Sequence, residues 1–338
     1  MRNIAVVNLV QLVNNALSIK KELPSGVKFC AVVKADGYGH GGVEVANALY
    51  KIADCFAVAL IEEGISLRLG GIDKEILVLV PLVKNDLENA VRYNLSVTVD
   101  SILGLKAVFN EAKRQNKTVK IHVAFNSGMN RFGVDDVEQL IEMLEFIKGK
   151  KLLVLSGFYT HFAEPDNKER LKSAYAKFLV AKNIVKGYNS KVTCHASASG
   201  GLLNGINEDM VRVGILLYGY YPFKCSTTIK VKPIMKVYSY VVKNRLIKKG
   251  DGLLYGHFSL KEDKEVSIIR YGYADGLNRV DVDSVINNRC MDVSAIDLVH
   301  GDKTLILKDA EVYAKKYKTI SYEVLTKVAM RAEKKYIR

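Results

Sequence analysis

Short apolar runs alternate with longer amphipathic segments along the first two-thirds of the chain. Eight runs have the length of strands, at residues 29–34, 56–60, 76–80, 96–99, 119–125, 154–161, 192–195 and 210–212. Between them, segments such as 43–51, 62–69, 137–147 and 168–185 space their apolar residues as helices do. Alternation in this order is typical of βαβ units that build a parallel sheet. The repeats therefore predict an α/β fold, a TIM-type (β/α)8 barrel, over residues 1–223.

The last third of the chain has a different pattern. After residue 223 the helical spacing largely stops, and β-rich segments follow at 237–242, 266–269, 280–285 and 304–307, with glycines between them. We expect a mainly β domain over residues 224–338 that ends in a helix near 322–332.

The composition narrows the class of protein. Apolar residues make up 49% of the chain, enough for sizeable cores, and no apolar run approaches the roughly 18 residues of a membrane span. Polar residues interrupt the N-terminal apolar positions: Asn3, Asn8, Gln11, Asn14 and Asn15. We therefore expect no signal peptide, a cytoplasmic location and no membrane partner. The five cysteines are scattered without a CxxC pair, which disfavours a disulfide framework and a metal site.

The net charge of +14 raises the question of nucleic acid. The lysines are dispersed, however, and no basic run is interleaved with aromatic residues, so we expect no nucleic-acid partner. The positive excess can instead help to attract an anionic cofactor or substrate.

Lys34 is the first candidate for chemistry. It ends the apolar run AVVK and is followed by ADGYGHG. Barrel enzymes carry their chemistry at the C-terminal ends of the strands, and a partly desolvated lysine there can act as a nucleophile that forms a Schiff base. Taken alone, a surface lysine after a strand would be the simpler interpretation.

The segment AVVKADGYGHG at residues 31–41 closely resembles the cofactor-lysine motif of the alanine racemases, a family of pyridoxal-phosphate enzymes of fold type III. Further motifs of that family follow in the same order: GMNRFGV at 128–134, THFAEPD at 160–166, HASAS at 195–199 and VRVGILLYG at 211–219. The last third adds YG at 255–256, GYADGLNR at 272–279, CMD at 290–292 and TISYE at 319–323. The resemblance covers nearly the whole chain. It implies a racemase that interconverts L-alanine and D-alanine, the latter a peptidoglycan precursor.

The resemblance also implies roles for single residues. Lys34 would hold pyridoxal phosphate and act as one catalytic base, and Tyr255, from the partner subunit of a homodimer with shared active sites, would act as the opposite base. A pair of bases suits racemisation, because the α-proton must leave one face and return on the other. Arg212 would face the pyridine nitrogen, and His161 would hydrogen-bond Arg212 and hold it in place. A guanidinium does not readily release a proton, so the ring nitrogen would stay unprotonated.

Further matched positions would bind the phosphate and the small amino-acid substrate. The phosphate set consists of Tyr38, Ser199, Tyr322 and the backbone amides of Gly214 and Ile215. The substrate set consists of Arg131, Met291 and Tyr273, with Asp166 and Arg279 beside the substrate passage.

Some positions depart from the family pattern. Ala124 stands where relatives often have a carbamylated lysine that positions the arginine, and Asn126 replaces the nearby acid. Arg131 must therefore be oriented in another way, by a water, a bound anion or a nearby acid. Ala198 replaces the asparagine of HxxNS, and Asn288 stands where an arginine of the passage is common. These changes concern the substrate more than the cofactor.

Alternatives remain open from the sequence. A racemase of serine or another amino acid would use the same fold, since only the shape of the pocket separates one side chain from another. A decarboxylase or dehydratase on a related fold is disfavoured by the CMD, THFA and RVG motifs together. A non-enzymatic pyridoxal-phosphate carrier would consist of a barrel alone and would lack a β domain with Tyr255.

Overall fold

The apolar runs of the first two-thirds form the parallel strands of one sheet. The computed structural model describes residues 3–255, 260–280 and 289–338. In that part of the chain the sheet has eight strands: β2 (Lys28–Val32), β3 (Cys55–Val58), β4 (Ile76–Val78), β5 (Ser96–Val99), β6 (Val119–Ala124), β7 (Leu153–Tyr159), β8 (Thr193–His195) and β9 (Met210–Val213). Each contains one of the predicted runs or overlaps it.

The sheet curls into a nearly closed barrel, as predicted. Its strands are hydrogen-bonded in the order β8-β7-β6-β5-β4-β3-β2-β9. The two end strands meet at a bridge between Ala198 and Arg212, where the backbone N–H of Arg212 donates to the carbonyl of Ser197 at 3.0 Å. Because helices cover the outside and side chains fill the inside, the strands are buried on both faces and are apolar nearly throughout.

The helices of the first part of the chain connect successive strands. They span Leu9–Lys21, Gly42–Leu49, Ile61–Leu69, Leu87–Arg92, Ile102–Gln115, Val137–Ile147, Lys168–Tyr188 and Ser199–Leu203, with a 3₁₀ turn at Lys84–Asp86. Local sequence sets several of their starts. Asp136, for example, accepts a hydrogen bond from the backbone N–H of Gln139 and caps the helix that follows it.

The second sheet is built from both ends of the chain. It contains β1 (Ile4–Asn8), β10 (Met235–Ile247), β11 (Lys264–Ile269), β12 (Ser294–Asp297), β13 (Lys303–Leu307) and β14 (Glu333–Ile337), in the order β12-β11-β10-β1-β14 with β13 also paired to β10. β1 runs antiparallel to β10 and parallel to β14. The helices Ala310–Lys316 and Ser321–Val328 and a 3₁₀ turn at Tyr273–Asp275 complete this part.

Two expectations for the C-terminal region change. The final helix ends at Val328 rather than near residue 332, and the chain then forms β14, whose alternating exposed and half-buried residues suit a strand at the end of the sheet path. The predicted β-rich segment 280–285 lies outside the described residues except for Val280, as does Asn288.

By internal contacts the chain divides into two units. The barrel unit consists of Val13–Gly37 and Gly42–Val231, and the β unit of Met1–Leu12, Tyr38–Gly41 and Lys232–Arg338. β1 thus belongs with the C-terminal strands, although the sequence pattern placed it with the barrel; the domain limits at residue 223 stay a prediction. No helix among the described residues is long and apolar enough to cross a membrane.

Candidate active site

Lys34 lies just beyond the C-terminal end of β2, where barrel enzymes place their chemistry. Its side chain is half-buried. Burial lowers the pKa of Lys34, the positive charges of Arg131 and Arg212 lower it further, and the carboxylate of Glu63 raises it in part. A lysine in these surroundings presents a larger fraction of neutral, nucleophilic amine near neutral pH than a solvated lysine does.

The backbone after Lys34 makes a left-handed turn. Ala35, Asp36, Gly37 and Tyr38 have φ values of 52°, 52°, 61° and 53°. Non-glycine residues pay for this conformation in steric strain, so the surrounding structure must hold them. Glu63 does so from the neighbouring helix, since its Oε1 accepts a hydrogen bond from the backbone N–H of Ala35 at 2.6 Å.

Arg212, in β9, is buried and its guanidinium is held by four acceptors. Nη1 donates to Nδ1 of His195 at 2.5 Å and to its carbonyl at 2.7 Å, and Nη2 donates to the carbonyls of Thr160 at 2.7 Å and Ala196 at 3.2 Å. The expected hydrogen bond from His161 was therefore wrong: among the described residues His195 supplies the imidazole. His195 ends β8, the neighbour of β9, and its ring reaches the guanidinium, whereas His161 follows the end of β7.

His161 still belongs to the same group of side chains. Burial lowers its pKa to about 3, and the positive charges of Arg212, Arg131 and Lys34 act in the same direction. Its imidazole is therefore neutral at physiological pH and can accept or donate a hydrogen bond without adding charge.

Arg131 lies on the loop between β6 and the helix Val137–Ile147. Its guanidinium stacks over the ring of Phe132 at 4.5 Å, and within the described ranges no carboxylate lies at ion-pair distance from it. A neighbouring aromatic ring thus fills part of the orienting role that we had assigned to a water, an anion or an acid. Asn126 organises the loop: its side-chain amide donates to Asn130 and Asp135 at 3.0 and 2.7 Å.

The predicted phosphate ligands of the barrel unit lie together. The backbone N–H of Gly214 donates to Oγ of Ser199 at 3.3 Å, and Ile215 follows directly at the end of β9. In the β unit, the rings of Tyr38 and Tyr322 lie with their centroids 6.1 Å apart. Burial raises the pKa of Tyr322 to about 12, so that its hydroxyl stays protonated and can donate a hydrogen bond.

Two predicted substrate residues of the β unit are also brought together. The backbone N–H of Tyr273 donates to the carbonyl of Cys290 at 3.1 Å, and the N–H of Ala274 donates to the carbonyl of Met291 at 3.0 Å. Gly272 is required for this close approach, because a Cβ there would lie 2.1 Å from the carbonyl oxygen of Met291. The side chains of Met291 and Tyr255 are 54% and 68% exposed on the single chain.

Sequence reasoning missed Glu63 and His195 as functional residues. His195 had a detectable signal, since it opens the HASAS motif, but that motif was used only for its serine. Glu63 is one of two consecutive glutamates on an amphipathic helix, and its bonds to the backbone of Ala35 and Ala59 have no local signature.

The barrel unit therefore presents a nucleophilic amine, two guanidinium groups, a neutral imidazole and a hydroxyl beside a backbone N–H. This set fits an anionic carbonyl cofactor: the amine can condense with an aldehyde, and the other groups can hold a phosphate, a ring nitrogen and a carboxylate.

Comparison with known proteins agrees with this chemistry. The profile of the alanine racemase N-terminal domain matches residues 7–222, and that of the alanine racemase C-terminal domain matches residues 234–336. An alanine racemase of Staphylococcus saprophyticus is 34% identical over 334 residues, covering 90% of this chain and 87% of that protein.

Two solved structures resemble the whole chain. An alanine racemase of Clostridium difficile superposes with a TM-score of 0.91 at 30% identity, covering 100% of this chain and 96% of that one. An alanine racemase of Bacillus anthracis with bound L-Ala-P superposes with a TM-score of 0.90 at 30% identity, covering 100% and 95%.

Proposed function

Because this chain belongs to the alanine racemase family, we propose that it interconverts L-alanine and D-alanine with pyridoxal phosphate bound through Lys34. Members of this family are isomerases that use pyridoxal phosphate. The observation that carries the proposal is the setting of Lys34, a half-buried amine at a strand end whose pKa is lowered first by burial and then by Arg131 and Arg212.

The residues of the barrel unit suit this cofactor. Lys34 would hold it covalently, and Ser199 with the backbone N–H groups of Gly214 and Ile215 would bind its phosphate. The predicted phosphate contacts of Tyr38 and Tyr322 stay predictions. When bound, pyridoxal phosphate withdraws electrons from the α-carbon of an attached amino acid and so acidifies the α-proton.

Racemisation then needs one base on each face of the α-carbon. We assign the amine of Lys34 to one face, because burial lowers its pKa and so brings proton uptake and release closer to neutral pH than in a solvated lysine. The phenol of Tyr255 is assigned to the other face. A phenol in water keeps its proton at neutral pH, so it needs neighbouring positive charge, which favours the phenolate, to serve as a base.

Arg212 would control the electronics of the cofactor ring. Burial lowers its pKa to about 10, so the guanidinium remains charged at neutral pH and its protons stay on nitrogen. A ring nitrogen that accepts a hydrogen bond without gaining a proton is a weaker electron sink, which disfavours transamination relative to return of the proton to carbon.

Arg131 would bind the substrate carboxylate, for which a guanidinium offers paired donors. Met291, through its backbone N–H, and Tyr273 would complete the substrate contacts. The departures from the family pattern at Ala124 and Ala198 concern this side of the site, where the shape of the pocket decides which amino-acid side chain is accepted.

A homodimer with shared sites is part of the proposal. Tyr255 and Met291 are 68% and 54% exposed on the single chain. A catalytic base and a substrate donor act best where water is excluded, so their exposure supports a model in which a second copy covers them.

The direct test is a panel of L-amino acids incubated with the purified, cofactor-loaded protein, with both enantiomers separated by chiral chromatography. The proposal expects D-alanine to form faster than any other D-amino acid. Faster formation of D-serine or another D-amino acid would replace the substrate assignment. Release of CO₂ or ammonia without formation of a D-amino acid would contradict racemisation and indicate a decarboxylase or dehydratase. Cofactor binding without turnover would indicate a carrier.

A further inference from the structure

A chain of hydrogen bonds runs through the inside of the barrel and ends at Arg212. Glu75 precedes β4 and so lies at the N-terminal end of the barrel strands, opposite the end at which Lys34 lies. Its Oε1 contacts Nε2 of His122 at 3.0 Å, and Nδ1 of His122 contacts Nε2 of His195 at 2.9 Å. Nδ1 of His195 then contacts Nη1 of Arg212 at 2.5 Å. We refer to Glu75, His122, His195 and Arg212 as the relay.

The direction of each hydrogen bond in the relay follows from the donors that each group has. A guanidinium carries only donors, so Nδ1 of His195 must accept. The proton of this neutral imidazole is then on Nε2, so Nδ1 of His122 must accept the hydrogen bond from Nε2–H of His195. His122 in turn carries its proton on Nε2, and this N–H donates a hydrogen bond to the carboxylate of Glu75. Both imidazoles are therefore neutral and share one tautomer.

The surroundings keep Glu75 charged and His195 neutral. Burial raises the pKa of Glu75, but the hydrogen bond from His122 and the charge and hydrogen bond of Lys120 act against it and hold the pKa below its usual range. The hydroxyl of Ser96 also donates to Glu75, at 2.9 Å. Burial lowers the pKa of His195 well below its usual range, and the charge of Arg212 adds to this effect.

Packing holds the two rings in place. The ring of Tyr159 stacks on His195 with centroids 5.0 Å apart and planes 5° from parallel. Gly157 leaves room for His122, because a Cβ at that position would lie 2.1 Å from its Nδ1. His122 and His195 are buried, at 3% and 0% exposure, so water cannot substitute for a lost partner without rearrangement.

We propose that Glu75 is a positioning residue for Arg212 that acts through His122 and His195. Its negative charge fixes the tautomer of both imidazoles, and His195 thereby offers a lone pair that orients the guanidinium. Without that charge the tautomers can reverse, and His195 would then turn an N–H toward Nη1 of Arg212, where two donors would repel each other. The consequence for the cofactor ring rests on the proposed function, whereas the fixed tautomers do not.

The test compares Glu75→Gln with Lys120→Met. An amide can accept or donate, so Glu75→Gln keeps the shape but no longer dictates the tautomer of His122. Lys120 donates to the other carboxylate oxygen, Oε2, at 3.1 Å, so Lys120→Met removes a neighbouring charge and leaves the contact with His122. The full-length, cofactor-loaded protein is labelled with ¹⁵N-histidine; the chain has six histidines, which keeps assignment tractable.

In the wild type, His122 and His195 should each show a protonated Nε2 and an unprotonated Nδ1, as the hydrogen bonds of the relay require. Glu75→Gln should mix or reverse these tautomers, lower kcat roughly tenfold with less than about a twofold change in KM, and shift the cofactor absorbance. Lys120→Met should retain the wild-type tautomers and spectrum.

The opposite tautomers in the wild type would overturn the relay, and this outcome needs no variant to fold. Unchanged histidine signals in Glu75→Gln would overturn the role of its charge. Altered tautomers with unchanged kcat and absorbance would overturn the link to Arg212. A protein that does not racemise alanine would contradict the proposed function and leave the histidine signals to decide the relay.

Discussion

The carboxylate of Glu63 accepts a hydrogen bond from the backbone N–H of Ala35 at 2.6 Å, and so holds the peptide that follows Lys34. Its other oxygen accepts from the N–H groups of Ala59 and Leu60 at 2.8 and 3.0 Å. One side chain therefore ties the left-handed turn after β2 to the end of β3. The position of the reactive amine depends on this contact.

Glu63→Ala should loosen that turn. We expect the variant to lose about 1–3 kcal/mol of unfolding free energy, because a charge-assisted hydrogen bond is removed from strained backbone. It should also bind pyridoxal phosphate more weakly. Urea denaturation and cofactor titration measure the two effects. Glu62→Ala, on the exposed face of the same helix, is the matched control, and an equal loss in both variants would contradict the special role of Glu63.

Lys34 should be the residue that carries the cofactor. Borohydride reduction of the loaded protein should fix the cofactor on one peptide, the one that contains Lys34, and Lys34→Ala should abolish racemisation. Because burial and nearby cations lower the pKa of Lys34, the covalent link should form at a lower pH than with an exposed lysine. Mass spectrometry of the digested protein locates the label. Its recovery on another lysine would rule out this assignment.

Arg212→Glu should change the electronics of the cofactor. A carboxyl group at this position would favour a protonated ring nitrogen and a stronger electron sink. We expect a new long-wavelength absorbance during turnover, slower racemisation and more transamination. Absorbance spectroscopy detects the first effect, and assays of the alanine enantiomers and of pyruvate measure the other two. Arg114→Glu, at an exposed helix position, controls for charge reversal as such. An unchanged spectrum and product ratio in Arg212→Glu would argue against its contact with the ring.

Much of the barrel could be predicted from sequence because its strands are short, apolar on both faces and separated by amphipathic helices. The position of β1 could not, since IAVVN has the same pattern as a barrel strand and only its long-range partners, β10 and β14, distinguish it. β14 was missed because three of its five residues, Glu333, Lys334 and Lys335, are charged, and the helix predicted near 322–332 ends just before it.

The candidate site divides in the same way. Lys34, Arg212 and Arg131 could be predicted because each lies within a motif that the sequence alone reveals. The partners of Arg212 cannot, because which histidine reaches it depends on how β7, β8 and β9 are staggered in the barrel. His122 lies within an ordinary strand pattern and Glu75 directly precedes another. Only the inward direction of their side chains, which the folded barrel determines, brings them into the relay.

Shared sites can be tested by subunit exchange. Lys34→Ala and Tyr255→Ala should each be inactive alone. Random exchange makes about half of the dimers mixed, with one intact site in each, so roughly a quarter of the wild-type activity should return. Size-exclusion chromatography with differently tagged chains verifies the exchange. A mixture that exchanges subunits and stays inactive would contradict the shared-site model.

The most direct test of the two-base assignment is the fate of the α-proton in D₂O. L-alanine is incubated with the loaded protein, and the earliest D-alanine is analysed by mass spectrometry and chiral chromatography. If Lys34 and Tyr255 serve opposite faces, the new enantiomer should carry solvent deuterium while the remaining L-alanine still carries its original proton. Tyr255→Phe should slow exchange more for one enantiomer than for the other. Early D-alanine that retains the original proton, together with equal and near-wild-type exchange of both enantiomers in Tyr255→Phe, would contradict the account.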